Sequence, residues 1–169
     1  MTGLIYNQHD IPKDVYRYGL RPSAQTGCGW IATYNALRLM GYEADAQALI
    51  RYYQRQLPLI HGNGGTTIQG PAFFFRHHGF AVETLSVVDR FDGAVKNADV
   101  AILFYYWHRK YRFGAHFVTV QYNDGKFTGY NTFRSSTGPD NYGESLQDFL
   151  KSQRFFGSFL IAIKDKPGR

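Results

Sequence analysis

The chain has 169 residues, 44% of them hydrophobic and 19% charged, which excludes a disordered protein and fits one domain around a single core. Its formal net charge of +6 comes from Lys and Arg residues that are scattered along the sequence, which disfavours a nucleic-acid-binding surface. No apolar run is long enough to span a bilayer, and residues 1–10 lack the pattern of a signal peptide, so we expect a cytoplasmic protein without membrane contact.

The N-terminal part of the sequence predicts an extended arm followed by a helix. Residues 1–24 contain turn-forming residues without a sustained period, so we expect an arm over the surface of a single domain at 25–169. Apolar residues then recur at steps of three and four from Trp30 to Met40, which predicts a helix that ends at Gly41.

Two further helices and then a series of strands follow in the predicted order. One helix is expected over residues 44–56, ended by Pro58, and another over the aromatic stretch before Gly79, with Thr66 or Thr67 as its cap. Short β-type runs are predicted at 80–85, 100–107, 116–122, 127–133 and 156–164, with short helices at 90–97 and 145–152. This order indicates an α+β fold whose helices pack on one face of a mostly antiparallel sheet.

The segment HFVTVQYNDGKFTGYNTF predicts a hairpin that places a histidine beside an asparagine. A two-residue turn at Asp124–Gly125 sets a register in which Val118 pairs with Asn131 and His116 pairs with Phe133. His116 and Asn131 are then diagonal neighbours on one face, where the Asn131 amide oxygen would accept a hydrogen bond from one ring nitrogen. Two satisfied polar groups in the core would show the same pattern.

Cys28 is the only cysteine, so it forms neither an intramolecular disulfide nor a zinc site by itself. It is a packing residue, a reactive thiol or a link to another chain. At the first turn of a helix, the helix dipole lowers the pKa of a thiol. Gly27 and Gly29 on either side would let a substrate approach the backbone. Together with an oriented histidine, this position favours a nucleophilic thiol over a packing residue.

Three short motifs make the sequence similar to the papain-like cysteine peptidases, most closely to the bacterial C39-like group. The motifs are CGW at 28–30, GAHFVTV at 114–120 and GYNT at 129–132. The resemblance covers most of the chain and implies a papain-like (C39-like) fold. It also implies a catalytic triad of Cys28, His116 and Asn131 without a metal or another cofactor.

The resemblance implies the chemistry of the triad as well. His116 would take the proton of Cys28, the thiolate would attack a peptide or amide carbonyl to form a thioester acyl-enzyme, and Asn131 would hold the ring. The oxyanion would be met by the Cys28 backbone amide and by Gln25, since Pro22 stands where the group usually has its glutamine. A peptide or protein substrate is expected to contact Gly27, Gly29, Trp30, Ala115 and Trp107.

Other functions remain open on the sequence alone. Transfer of the acyl group to an amine would make the protein a thiol acyltransferase or a transglutaminase-type enzyme. An incomplete oxyanion hole would leave a non-catalytic peptide-binding module on the same fold. A nucleic-acid binder that uses the aromatic and basic residues 104–113 is a further hypothesis. The sequence does not determine the oligomeric state.

Overall fold

The N-terminal half of the chain is mainly helical in the computed structural model, which describes residues 3–55, 65–109 and 112–166. A short 3-10 helix at Gln8–Asp10 comes first. It is followed by β1 (Arg17–Tyr18), β2 (Arg21–Pro22), α1 (Ser23–Thr26), α2 (Cys28–Leu39), α3 (Ala46–Arg55) and α4 (Gly70–His77). The three longer helices, α2, α3 and α4, correspond to the three helices that the sequence predicts.

Glycines end two of these helices as predicted. Gly41 and Gly79 have φ angles of +85° and +81°, in the left-handed region where a helix stops without a steric penalty. The predicted threonine cap of α4 is wrong, because Gln69 occupies the cap position. The Thr66 hydroxyl instead donates a hydrogen bond to the Tyr18 hydroxyl, with 3.2 Å between the two oxygen atoms. Pro58, the expected stop of α3, lies outside the described residues.

A six-stranded sheet follows, and every neighbouring pair in it is antiparallel. Its strands are β3 (Ala81–Leu85), β4 (Val100–Arg109), β5 (Arg112–Asn123), β6 (Lys126–Tyr130), β7 (Asp140–Gly143) and β8 (Phe155–Lys164). They are arranged in the order β3-β8-β4-β5-β6-β7. The α+β class is therefore confirmed, and β7 is the strand that the pattern did not predict.

Helices cover both faces of this sheet. The prediction that they pack on one face only is therefore wrong. On one face α2 packs against β5, where the Thr119 hydroxyl donates to the Ala32 carbonyl over 3.0 Å. On the other face lie α5 (Phe91–Lys96) and α6 (Leu146–Ser152). The reason is that every side chain from Val100 to Tyr105 is buried, so this central strand requires an apolar layer on each side.

The first residues of the described chain are tied to α2. The side chain of Asn35 accepts a hydrogen bond from the Ile5 amide at 2.9 Å and donates one to the Ile5 carbonyl at 2.8 Å. Ile5, Ile11 and Tyr18 are buried and join the core around α2. The boundary between an arm and a catalytic domain at residue 24 stays a prediction. Within the described ranges, no helix combines the length and the apolar character that crossing a membrane requires.

Candidate active site

The hairpin of β5 and β6 brings the candidate histidine and asparagine together. Its predicted register is confirmed from the turn at Asp124–Gly125, where both residues have positive φ angles, to the pair formed by Thr119 and Tyr130. The ladder stops there because Asn131 adopts a φ angle of +62°. The two pairs that the sequence predicted for Asn131 and Phe133 therefore do not form.

The imidazole of His116 is held by the main chain of Asn131 and not by its side chain. The His116 Nε2 atom lies 2.6 Å from the Asn131 carbonyl oxygen. A carbonyl oxygen only accepts, so Nε2 carries the proton and Nδ1 keeps its lone pair. The predicted contact through the Asn131 amide is wrong, because the left-handed turn directs the carbonyl at the ring. A fixed tautomer, which was the expected consequence, is nevertheless present.

The side chain of Asn131 binds Gln8, a residue that the sequence analysis missed. The Gln8 backbone amide donates to Asn131 Oδ1 over 2.8 Å, and Asn131 Nδ2 donates to Gln8 Oε1 over 3.3 Å. Gln8 Nε2 also donates to the Ala24 carbonyl over 3.0 Å. Gln8 is buried, so these hydrogen bonds lie out of bulk water. They connect the turn that holds His116 to α1, directly before Cys28.

Cys28 is the first residue of α2, and its thiol is partly buried against β5. Burial raises its pKa, while backbone hydrogen bonds from Phe117, Gly29 and Cys28 itself act in the opposite direction. Every second residue of β5 directs its backbone amide toward β6. Thr119 is one of these residues, and Phe117 is the next one toward the start of the strand. Since β6 ends before it reaches Phe117, the sulfur takes the place of the missing strand partner.

The thiol therefore lies against the peptide that joins His116 to Phe117. Within the described residues, no hydrogen bond connects the Cys28 sulfur to the His116 ring. Burial lowers the pKa of His116, the Asn131 carbonyl raises it, and the nearby His9 lowers it further. Burial therefore disfavours the charged form of both groups, the thiolate of Cys28 and the imidazolium of His116.

A cavity of about 910 Å³ opens beside His116. Three of the other predicted site residues, Gln25, Trp107 and Ala115, line it, as does Asn131. Cys28 is not among the described residues of its wall. In the part of the chain that the structure describes, no group of three or more His, Cys, Asp or Glu side chains is arranged to hold a metal ion.

The three residues around the thiol that were expected to contact substrate are closely packed. Trp30 is fully buried, and its Nε1 donates to the Ser23 hydroxyl over 3.0 Å. A Cβ atom on Gly27 would lie 2.7 Å from Trp30 Nε1, and one on Gly29 would lie 2.4 Å from Thr66. Other side chains already fill the space beside these three residues, and the expectation that Gly27, Gly29 and Trp30 contact substrate stays a prediction.

Comparisons with known proteins bear on the fold alone. No protein-family model matches the chain, and no curated protein matches its sequence. Among solved structures, the chain is similar to the peptidase domain of Streptococcus ComA, a bi-functional ABC transporter involved in a quorum-sensing pathway. The match has a TM-score of 0.55 and 13% sequence identity, and covers 89% of this chain and 100% of that domain. The α+β architecture is thus similar to that of this peptidase domain.

Proposed function

We propose that the protein is a cysteine peptidase-like hydrolase of the papain-like, C39-like type, with Cys28, His116 and Asn131 as its catalytic residues. The observation that carries the proposal is the position of the only thiol. It lies at the start of α2 against the peptide that follows His116, whose ring has its tautomer set by Asn131. The fold shared with a peptidase domain supports the same assignment.

Because burial disfavours both the thiolate and the imidazolium, we propose that proton transfer accompanies the attack in the first step. The Nδ1 atom of His116 accepts the thiol proton as the sulfur of Cys28 attacks the carbonyl carbon of the scissile amide. The C–N bond then breaks, the amine leaves with the proton from His116, and the acyl group remains as a thioester. Water, deprotonated by His116, hydrolyses that thioester and restores the thiol. The Asn131 carbonyl holds the ring throughout without changing its own charge.

The oxyanion would be stabilised at the start of α2. We propose the Cys28 backbone amide as one donor, because it belongs to the first residue of the helix. Gln25 is the proposed second donor. Its side chain is exposed, it lies three positions before the thiol in α1, and it lines the same cavity as His116. In this proposal Gln25 takes the role of the glutamine that the C39-like group usually has at the position of Pro22.

A non-catalytic peptide-binding module is the second candidate, and one observation favours it. Burial raises the pKa of the Cys28 thiol, and no hydrogen bond joins its sulfur to the His116 ring in the described part of the chain. Catalytic contacts are often long in free enzymes and shorten when a substrate binds, so this geometry is compatible with both functions. A thiol acyltransferase or transglutaminase-type enzyme would share the first half of the reaction and differ only in the acceptor.

An acylation experiment tests the proposal. The protein is mixed with the p-nitrophenyl ester of N-acetylglycine, release of p-nitrophenolate is followed by absorbance, and the adduct is located by intact-mass and peptide mapping. We expect a burst and an acyl group on Cys28, with acylation about 10²-fold slower or more in His116→Ala. Exposed His77 provides the matched control, and His77→Ala should acylate at the native rate. A burst that survives in Cys28→Ala would overturn the assignment.

The acceptor of the acyl group is identified in the same assay. Addition of a primary amine such as glycinamide yields an amide product if the protein transfers acyl groups, and free N-acetylglycine if it hydrolyses the ester. We expect the free acid to predominate. The absence of any adduct on Cys28 in the native protein, at pH 7 and above, would support the binding module and reject the enzyme.

A further inference from the structure

We propose that the cavity beside His116 binds acidic peptides. The inference rests on the proposed function for the place of the scissile bond, but it names a substrate class that follows from the charges on the wall. Two arginines, two imidazoles and three aromatic side chains line the cavity, and no carboxylate is among its described lining residues.

The two arginines are available to a ligand. Arg21 and Arg134 line the cavity and are exposed. Within the described residues, neither guanidinium takes part in an ion pair or a side-chain hydrogen bond. A guanidinium presents parallel N–H donors that match the two oxygens of a carboxylate. An acidic side chain entering the cavity would therefore find two cations that have no competing partner among the described residues.

The charged groups that act on His9 are mostly cations. His9 lies on the wall with His116, and burial lowers its pKa. The charges of Arg134 and Lys13 lower that pKa further, while Asp10 raises it. Cations thus outnumber the one carboxylate that acts on this imidazole. Such a cavity would repel a basic ligand and attract an acidic one.

The size and the apolar part of the wall favour a peptide over a small anion. The volume of about 910 Å³ exceeds what a single carboxylate or phosphate group occupies. Trp107 and Phe133 also line the cavity, and unlike the buried Tyr105 they offer aromatic surface to the backbone and the methylene groups of a peptide. Together with the arginines, they describe a site for a peptide chain that carries carboxylates.

Binding is measured with the Cys28→Ser protein, so that catalysis does not enter. Rhodamine-labelled hexapeptides of alternating alanine and glutamate, glutamine or lysine are titrated by fluorescence anisotropy at low and high salt. The test variant is Arg21→Gln/Arg134→Gln. The matched control is Arg51→Gln/Arg55→Gln, which removes two arginines that line a separate cavity of about 660 Å³ beside α3.

We expect the glutamate peptide to bind most tightly and the lysine peptide most weakly. Each arginine should contribute up to about fivefold, so the double variant should lose roughly tenfold in affinity for the glutamate peptide. High salt should weaken binding to the native cavity, and the control should stay within about twofold. Equal affinities for the three peptides, or an unchanged affinity in the test variant, would overturn this inference while leaving acylation of Cys28 unaffected.

Discussion

Substitution of Gln8 by alanine should destabilise the protein and loosen the site together. The change removes two buried hydrogen bonds, one to the Ala24 carbonyl at 3.0 Å and one from Asn131 Nδ2 at 3.3 Å. Each is worth about 1 kcal/mol net, and each buried group left without a partner adds to the loss. The backbone hydrogen bond from residue 8 to Asn131 Oδ1 survives. The expected loss is about 2–4 kcal/mol in the free energy of unfolding.

Urea denaturation at pH 7 measures this loss, and a second glutamine provides the control. Gln47 also donates its side-chain amide to a backbone carbonyl, that of Val15 at 3.0 Å, but it does so at the surface. Gln47→Ala should therefore cost less than about 1 kcal/mol. In Gln8→Ala, we also expect slower alkylation of Cys28 at pH 7, because the turn that carries the Asn131 carbonyl is no longer held against the His116 ring.

Two results would refute this reasoning. Equal losses of stability for Gln8→Ala and Gln47→Ala would show that the buried pair with Asn131 contributes nothing beyond a surface contact. A large loss for Gln8→Ala with Cys28 alkylation at the native rate would show that Gln8 stabilises the fold without positioning His116.

Two further predictions follow from the packing and the titration of the site. Gly29→Ala should cost about 1–3 kcal/mol in urea denaturation, because the new Cβ lies 2.4 Å from Thr66, whereas Gly93→Ala in α5 meets no atom within 4 Å and should cost nothing. The folded pKa of His116 is below 6.5, so its stabilising contribution is complete above pH 6.5 and is lost as the pH falls below that value. The Tm of the native protein should therefore fall more steeply between pH 7 and pH 5 than that of His116→Gln. Equal costs for the two glycines, or equal slopes for the native protein and His116→Gln, would contradict these predictions.

The parts of the fold that depend on local sequence could be predicted. The apolar spacing that begins at Trp30 identifies α2, and Gly41 marks its end. The Asp124–Gly125 turn sets the register of the hairpin, because the turn type determines which residues pair. Alternation within the strands then identifies the antiparallel sheet. Each of these features is encoded within a few residues of where it appears.

The parts of the site that depend on distant contacts could not be predicted. Gln8 and Asn131 are 123 positions apart, and nothing near either residue indicates the other. The left-handed conformation of Asn131 removes it from the strand that its neighbours predict. The alternation of apolar and polar residues therefore predicted a β6 that is too long. It also assigned the hydrogen bond with His116 to the side-chain oxygen of Asn131, whereas the backbone carbonyl oxygen forms it.

Packing between distant residues also determines features that residue type alone does not reveal. Gly29 beside the thiol suggested an open approach for substrate, but the space is filled by Thr66. The strand β7 carries Asp140, Asn141 and Gly143, which are rare in strands, and its one buried apolar side chain, Tyr142, stacks on Phe149 of α6 at 3.6 Å between ring centroids. Contacts with β6 and α6 therefore stabilise this strand, because its own residues have a low β propensity.

The measurement that tests the central claim most directly is the rate of Cys28 alkylation by chloroacetamide between pH 5 and pH 10, for the native protein and for His116→Ala. If His116 takes the thiol proton, the native rate should rise as the ring becomes neutral, at a pH below 6.5, and stay level until the thiol itself ionises above pH 9. His116→Ala should lack that plateau and react about tenfold more slowly or more at pH 7. Superimposable profiles for the two proteins would mean that Cys28 and His116 do not act together.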